Sequence, residues 1–234
     1  MSITNILNFK SRNNSIEHYR QLRTVGTELN HNLFGQLSKT DMNNAGRLLG
    51  ILHKGVLMFD EEGSGGVEIS HFSDFAIFDY YNGNGLNAVQ RHCEQHQNQL
   101  PELEDHFVKA CLNAKSSLFS VIDVDQTNST ILLQDMFDDN YQVEIIDISM
   151  SKSPSIKNFF LFIRIISIDS INMTSGVSFV FHKEDEEFLK KKYKTMIKST
   201  VAYTQQAKNY IVFLKLNKRY GVHTQYETIE SEAN

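Results

Sequence analysis

Between Ser117 and Lys183 five apolar runs follow one another with only short polar breaks, and no other feature restricts the fold of this chain more. The runs cover residues 118–124, 130–136, 141–148, 159–168 and 176–181 and are rich in Ile, Val and Phe. Such side chains fit a pleated, half-buried surface, so each run is expected to be a strand. The breaks at 125–129 and 137–140 hold Asp, Asn, Ser and Thr residues that hydrogen-bond their own backbone and favour turns. Connections this short join antiparallel neighbours, because a parallel return needs a crossover of a dozen or more residues. The expectation is an antiparallel five-stranded meander or small SH3-like barrel, closure being the way to remove exposed edges. Residues 141–148 alternate imperfectly between apolar and polar, as in a strand with one wet face. Residues 159–168 are almost wholly apolar, which predicts a strand covered on both faces with Arg164 at an edge or paired.

The flanking sequence is patterned for helices, giving an α+β chain with a mainly helical region 1–116, the β unit 117–183, a basic amphipathic helix 184–220 and a tail 221–234. Asn14 or Ser15 is placed to cap a first helix whose inner face is Ile16, Tyr19, Arg23, Gly26, Leu29 and Leu33. A second begins near Thr40, and Gly55 to Phe59 is a short apolar run of either kind. A third, capped by Ser73, spans 74–81; a fourth spans about 86–97; a fifth starts after Pro101 with acids in its first turn. After the last strand, Glu184 to Glu187 open one long helix in which Leu189, Tyr193, Met196, Ile197, Tyr210, Ile211 and Leu214 keep a helical period.

The charge is unevenly distributed. From Phe188 to Tyr226 there are eight lysines, one arginine and no acid, so +9 lies on this segment and −14 on the remainder of a chain whose net charge is −5. Either the basic helix packs across an acidic body or is simply solvated, or its lysines, Lys190, Lys191, Lys192, Lys194 and Lys198 among them, form an anion-facing surface for nucleic acid, a membrane or an acidic partner. Two cysteines, Cys93 and Cys111, are too few for a disulfide framework and read as reduced thiols. The first residues lack a basic-then-apolar leader, and the longest apolar run is too short to span a bilayer, so a cytoplasmic protein without membrane insertion is expected.

The motifs of catalysis and cofactor binding are incomplete. Gly63-Ser64-Gly65-Gly66 lacks the lysine and helix of a phosphate loop, and no cofactor is expected. Gly83, Gly85 and Ala88 match a dinucleotide fingerprint by letter, but the strand-helix-strand unit it requires is missing. Asp123 and Asp125 alternate like the start of a calcium loop that then lacks its Gly and its Glu. His92 and His96 lie four residues apart on one helix, the spacing at which two imidazoles converge on a metal, although a third ligand has to come from elsewhere. Asp79, His71 and Arg164 are reactive types that only tertiary structure can bring together.

Asp74-Phe75-Ala76-Ile77-Phe78-Asp79-Tyr80, the glycine-containing break and helix after it, and Leu118-Phe119-Ser120-Val121 entering strands with Leu132, Leu133, Asp135 and Met136 resemble a family of uncharacterised bacterial proteins related to SEC-C-motif-containing proteins. The resemblance covers half the chain and implies a helical segment leading into a small β barrel. The cysteine-rich zinc tail of some such proteins is absent, and no chemistry carries over to any residue. The function expected is therefore binding to a protein partner, with nucleic-acid binding through the basic helix as the alternative and an unrecognised enzyme or metalloprotein as the third.

Overall fold

The computed structural model describes residues 3–60, 67–96 and 99–222, with side chains from Ser15 onward. Helix α1 (Ile3–Gly35) is followed by α2 (Lys39–Leu49), a hairpin of β1 (Leu52–His53) and β2 (Val56–Leu57), then α3 (Ile69–Phe78), α4 (Ala88–Gln95) and α5 (Glu102–Leu112). The sheet strands are β3 (Lys115–Asp125), β4 (Thr130–Asp135), β5 (Gln142–Ile146), β6 (Phe159–Ile168) and β7 (Ile171–His182). Helices α6 (Glu186–Ser199) and α7 (Gln205–Tyr220) complete the described chain.

All five sheet strands are antiparallel, in the order β5-β4-β3-β6-β7. The first three form the expected meander, but the chain then crosses through two short 3-10 turns and lays β6 beside β3 rather than beside β5. The edge strands β5 and β7 approach each other, and Asn172 Nδ2 donates to the Glu144 carbonyl at 3.0 Å. They share no backbone ladder, so the sheet curls without closing, and the barrel expected from the sequence is not formed. A reason lies in β7, where Ser175, Gly176 and Val177 together oppose the single residue Arg164 of β6. Gly176 has φ +102°, and this wide bulge interrupts the ladder and bends the strand locally.

Two cores result from the alternation of side chains along the strands. Phe119, Val121, Ile131, Leu133, Ile145, Leu161 and Ile163 fill the inside of the curl. Leu118, Phe160, Phe162, Phe179 and Phe181 point the other way and join the helices in a larger core. Strand β6 is thus covered on both faces, as its almost wholly apolar sequence requires. Between sheet and α7 the aromatic rings interlock: Phe162 stacks on Phe213 at 4.6 Å and on Phe179 at 5.7 Å, and Phe213 stacks on Tyr193 of α6 at 5.3 Å. Helix α1 comes close to α5 at Gly26, where an added Cβ would lie 2.7 Å from the Phe107 ring.

Several helix boundaries differ from those read in the sequence. Helix α1 starts at Ile3, not after Asn14 or Ser15, since a capping residue type permits a start without imposing one. Ser73 lies inside α3, donating to the Ser70 carbonyl; the helix begins at Ile69 because Phe72 and Phe75, three apart, both reach the core. Asn87 caps α4 in a reciprocal box with Gln90. The C-terminal segment is two helices, not one. The chain leaves the helix at Thr200, whose ψ of 126° is extended, and the Thr204 hydroxyl accepts from Ala207 N to start α7. Residues 61–66 and the part of the expected tail from 223 lie outside the described residues.

Candidate functional site

Helix α6 opens with Glu186 and Glu187 at its positive end and carries lysines through the rest of its length. It buries only Leu189 fully, whereas α7 buries eight residues among the sheet and its neighbouring helices. The two helices pack antiparallel. Phe188 lies edge-on to Tyr220 at 4.8 Å, Tyr193 stacks on Phe213, and the Tyr193 hydroxyl donates to Asn209 Oδ1 at 2.9 Å. Along the exposed side of this hairpin runs a groove of about 500 Å³. Phe188, Met196, Leu216 and Tyr220 form its apolar floor, and Lys191, Lys192, Lys215 and Arg219 form its rim. Among the described residues no carboxylate lines it, and Lys192 Nζ lies 5.4 Å from the Phe188 ring centroid.

The five lysines singled out in the sequence are divided by the structure. Lys191 and Lys192 belong to the groove, whereas Lys190, Lys194 and Lys198 line a shallow depression on the outer face of α6, reached also by Lys191. Lys190 Nζ is held by Glu186 at 2.5 Å, one turn earlier. Among the described residues, no ion pair engages Lys191, Lys192, Lys194 or Lys198. Lys215, Arg219 and the apolar floor were not identified from the sequence as site residues. The signal that was available is the break at Thr200 to Thr204: β-branched residues followed by a capping threonine turn the chain back and place α7 beside α6.

The His92 and His96 rings are adjacent, their centroids 4.3 Å apart. His92 is buried, with Nε2 at 3.8 Å from Glu104 Oε1, and His96 Nδ1 is 3.0 Å from the His92 carbonyl. Burial, and then the neighbouring His96, hold the His92 imidazole below its usual range against the opposing pull of Glu104. No group of three or more His, Cys, Asp or Glu able to hold a metal ion occurs among the described residues.

Arg164 and Asp79 do meet, and Asp74 meets them. Arg164 Nη2 lies 2.5 Å from Asp79 Oδ2 and 3.1 Å from Asp74 Oδ2, with the guanidinium carbon 4.4 Å from the Phe78 ring centroid. All three side chains are at most 5% exposed. Burial acts against the Arg164 charge, but the two carboxylates outweigh it and raise its pKa. Asp79 is pushed up to about 6, burial prevailing over the attraction of Arg164 while Asp74 adds its repulsion. Burial also takes the nearby Cys111 thiol to about 12, which leaves it without thiolate character at neutral pH. This triad ties α3 to the sheet: Asp74 lies between Phe72 and Phe75 on α3, Asp79 stands at its C-cap, and Arg164 reaches both from β6, opposite the bulge of β7. His71 belongs to another contact, its carbonyl accepting from the Tyr210 hydroxyl at 2.8 Å.

Gly83 and Gly85 sit in the turn before α4. An added Cβ on Gly85, which has φ +75°, would lie 2.8 Å from the Tyr203 hydroxyl, and Tyr203 stacks on Tyr81 at 4.6 Å. No parallel strand leads into this turn, so it lacks the phosphate-cradling geometry of a dinucleotide site. Asp123, considered above for calcium, pairs with Lys157 at 2.6 Å, and Asp125 accepts from Asn128 N. No helix among the described residues is long and apolar enough to cross a membrane.

Comparison with curated proteins and with solved structures gives no match. The resemblance to proteins related to the SEC-C family is not upheld: the family model that matches describes a different family, and no SEC-C relationship accompanies it. The aromatic and apolar residues that suggested it, Phe75, Ile77, Phe78 and Leu118 among them, are core residues of a kind many folds share. The match to the family of unknown function DUF7986 runs over residues 13–227, nearly the whole chain, and the protein belongs to that family.

Proposed function

We infer that the protein is a non-catalytic binding protein whose α6–α7 hairpin receives an acidic segment of a protein partner. One observation carries this reading: an apolar floor is exposed inside a ring of cations, and among the described residues no carboxylate lines that groove. Exposed apolar surface rimmed by charge of one sign supplies both parts of recognition. The floor provides the area to be desolvated, and the rim steers and orients an oppositely charged partner. Helix α6 is suited to the task because α7 carries the packing against the sheet and leaves the lysines of α6 in solvent.

A nucleic acid is the second reading, favoured by the row Lys191, Lys194 and Lys198 on the outer face of α6. The charge of −14 on the remainder of the chain counts against it, because a polyanion meets that field along its length whereas a short acidic segment does not. The test is to capture partners with the intact chain and with a variant carrying Gln at Lys190, Lys191, Lys192, Lys194 and Lys198, then to measure each purified candidate against both. Binding that weakens by about tenfold or more in the variant, and that survives nuclease treatment, supports the protein reading. Salt-dependent retention of labelled RNA or DNA in place of protein supports the second reading, and equal capture by both forms ends both.

A further inference from the structure

Beside the open edge of the sheet, between β7 and the two 3-10 turns that follow β5, lies a cleft. On one side lie Ser178 and Val180 of β7, past its bulge, with Val222, whose N–H donates to the Val180 carbonyl at 2.8 Å; on the other lies the segment carrying Ser149, Met150 and Ile156. Its apolar walls are Met150, Ile156, Phe159 and Val180, partly buried residues packed against the core inside the curl, and Leu161 lies sealed beneath them. The cleft therefore lies on the rim of that core. It has a volume of about 420 Å³ and shares Ser149, Met150 and Ser178 with a second hollow of about 420 Å³, lined further by Tyr19, Arg23, Asp147 and Thr174. Volumes of this order hold a small organic molecule.

The polar end is electrically satisfied. Arg23 Nε donates to the Tyr19 hydroxyl at 2.9 Å, Nη1 to the Thr174 carbonyl at 2.7 Å and Nη2 to Thr174 Oγ1 at 3.0 Å. Asp147 Oδ2 lies 3.6 Å from Arg23 Nη2, while Oδ1 accepts from Ser149 N and Met150 N at 3.1 and 2.9 Å. An anion entering here meets the Asp147 carboxylate and a cation meets the Arg23 guanidinium, each already spent on its neighbours. Among the described residues the apolar end carries no charge, only serine hydroxyls at its margin.

We propose that this cleft binds a small uncharged molecule, its apolar body against Ile156, Phe159 and Val180 and a hydrogen-bonding end turned toward the serines and the Arg23–Asp147 pair. The site is separate from the α6–α7 groove and stands or falls independently of it.

The test uses the full chain and the uncharged fluorophore N-phenyl-1-naphthylamine. The wild type is expected to bind it saturably with one-to-one stoichiometry, and the affinity is expected to be insensitive to salt because neither partner contributes free charge. Ser178→Trp fills the junction of the two hollows and should weaken binding by about tenfold or more. If that variant does not fold, Ser153→Trp on the exposed margin narrows the same mouth and should weaken binding in the same direction. Lys191→Glu with Lys192→Glu, which reverses the rim of the other groove, should leave binding of the dye unchanged. Absence of saturable binding by the wild type, full binding by a folded tryptophan variant, or loss of binding in the lysine variant overturns the proposal.

Discussion

Two groups of charged residues in this protein are used in opposite ways. Arg164, Asp74 and Asp79 lie in the interior, paired within hydrogen-bond distance and sealed by Phe78, whereas Lys191, Lys192, Lys194 and Lys198 stand on α6 in solvent without ion-pair partners among the described residues. Desolvation is the difference. A buried charge is tolerated only where opposite charge is held against it, so the triad can serve to fix how α3 meets the sheet. An exposed lysine has lost little hydration and retains its capacity to attract a partner. Among the described residues, the strongly perturbed Arg164 and Asp79 hold α3 against the sheet, and the unpaired lysines of α6 are the ones proposed for recognition.

The largest expected effect breaks the interior group. Arg164→Met leaves two buried carboxylates facing each other and should cost about 3–5 kcal/mol in urea unfolding. Adding Asp74→Asn and Asp79→Asn to it should recover most of that loss. A cost near zero for the single change would mean that α3 is held by its aromatic packing alone.

The next effect is in pH. The folded-state pKa of Asp79 is raised from its ordinary value to about 6, so the folded state holds that proton more tightly than the unfolded chain. The stabilisation from Asp79 is complete below about pH 4 and is lost as pH rises through 6, a change of about 3 kcal/mol. The stability difference between wild type and Asp79→Asn, measured from pH 4 to pH 7, should therefore move against the wild type as pH rises. A flat difference would show that Arg164 compensates the carboxylate fully.

Thr204→Ala tests the hairpin that creates the exposed group. Loss of the side-chain cap on α7 should cost about 1 kcal/mol and weaken partner binding by displacing Lys215 and Arg219 relative to α6. The smallest effect on stability is expected on the lysines themselves. Gln at Lys191, Lys192, Lys194 and Lys198 should leave the unfolding free energy within about 0.5 kcal/mol of wild type while removing the binding proposed for the groove. Destabilisation beyond that would place these lysines with the interior group, as part of the fold.

The sequence was most readable where one residue pattern meets one environment. Strand β6 was found at its full bounds, 159–168, because both of its faces are buried and every neighbour favours the same apolar composition. Strand β7 was found only from Gly176 to Phe181, since residues 171–175 alternate less plainly and lead into the bulge. The break between α6 and α7 was missed because the helical period of Leu189, Tyr193, Met196 and Tyr210 continues across it. That period reports a shared apolar core, and two antiparallel helices on one core satisfy it as one long helix does. Of the candidate residues, the lysines were legible as a charge run, but their division between groove and outer face was not, nor was the floor of Phe188, Leu216 and Tyr220.

By itself the sequence determined the antiparallel character of the sheet, its short turns, the doubly covered strand and the segregation of basic charge, because these follow from local composition and connection length. Tertiary structure alone decided that β6 lies beside β3, that the sheet stays open at β7, that Arg164 is held by Asp74 and Asp79, and that two helices enclose a cation-rimmed groove. Each of these depends on residues far apart along the chain, from Asp74 to Arg164 or from Lys191 to Arg219. Local propensity contains no term for such pairs; they are selected by burial and by the neutralisation of charge in the assembled core.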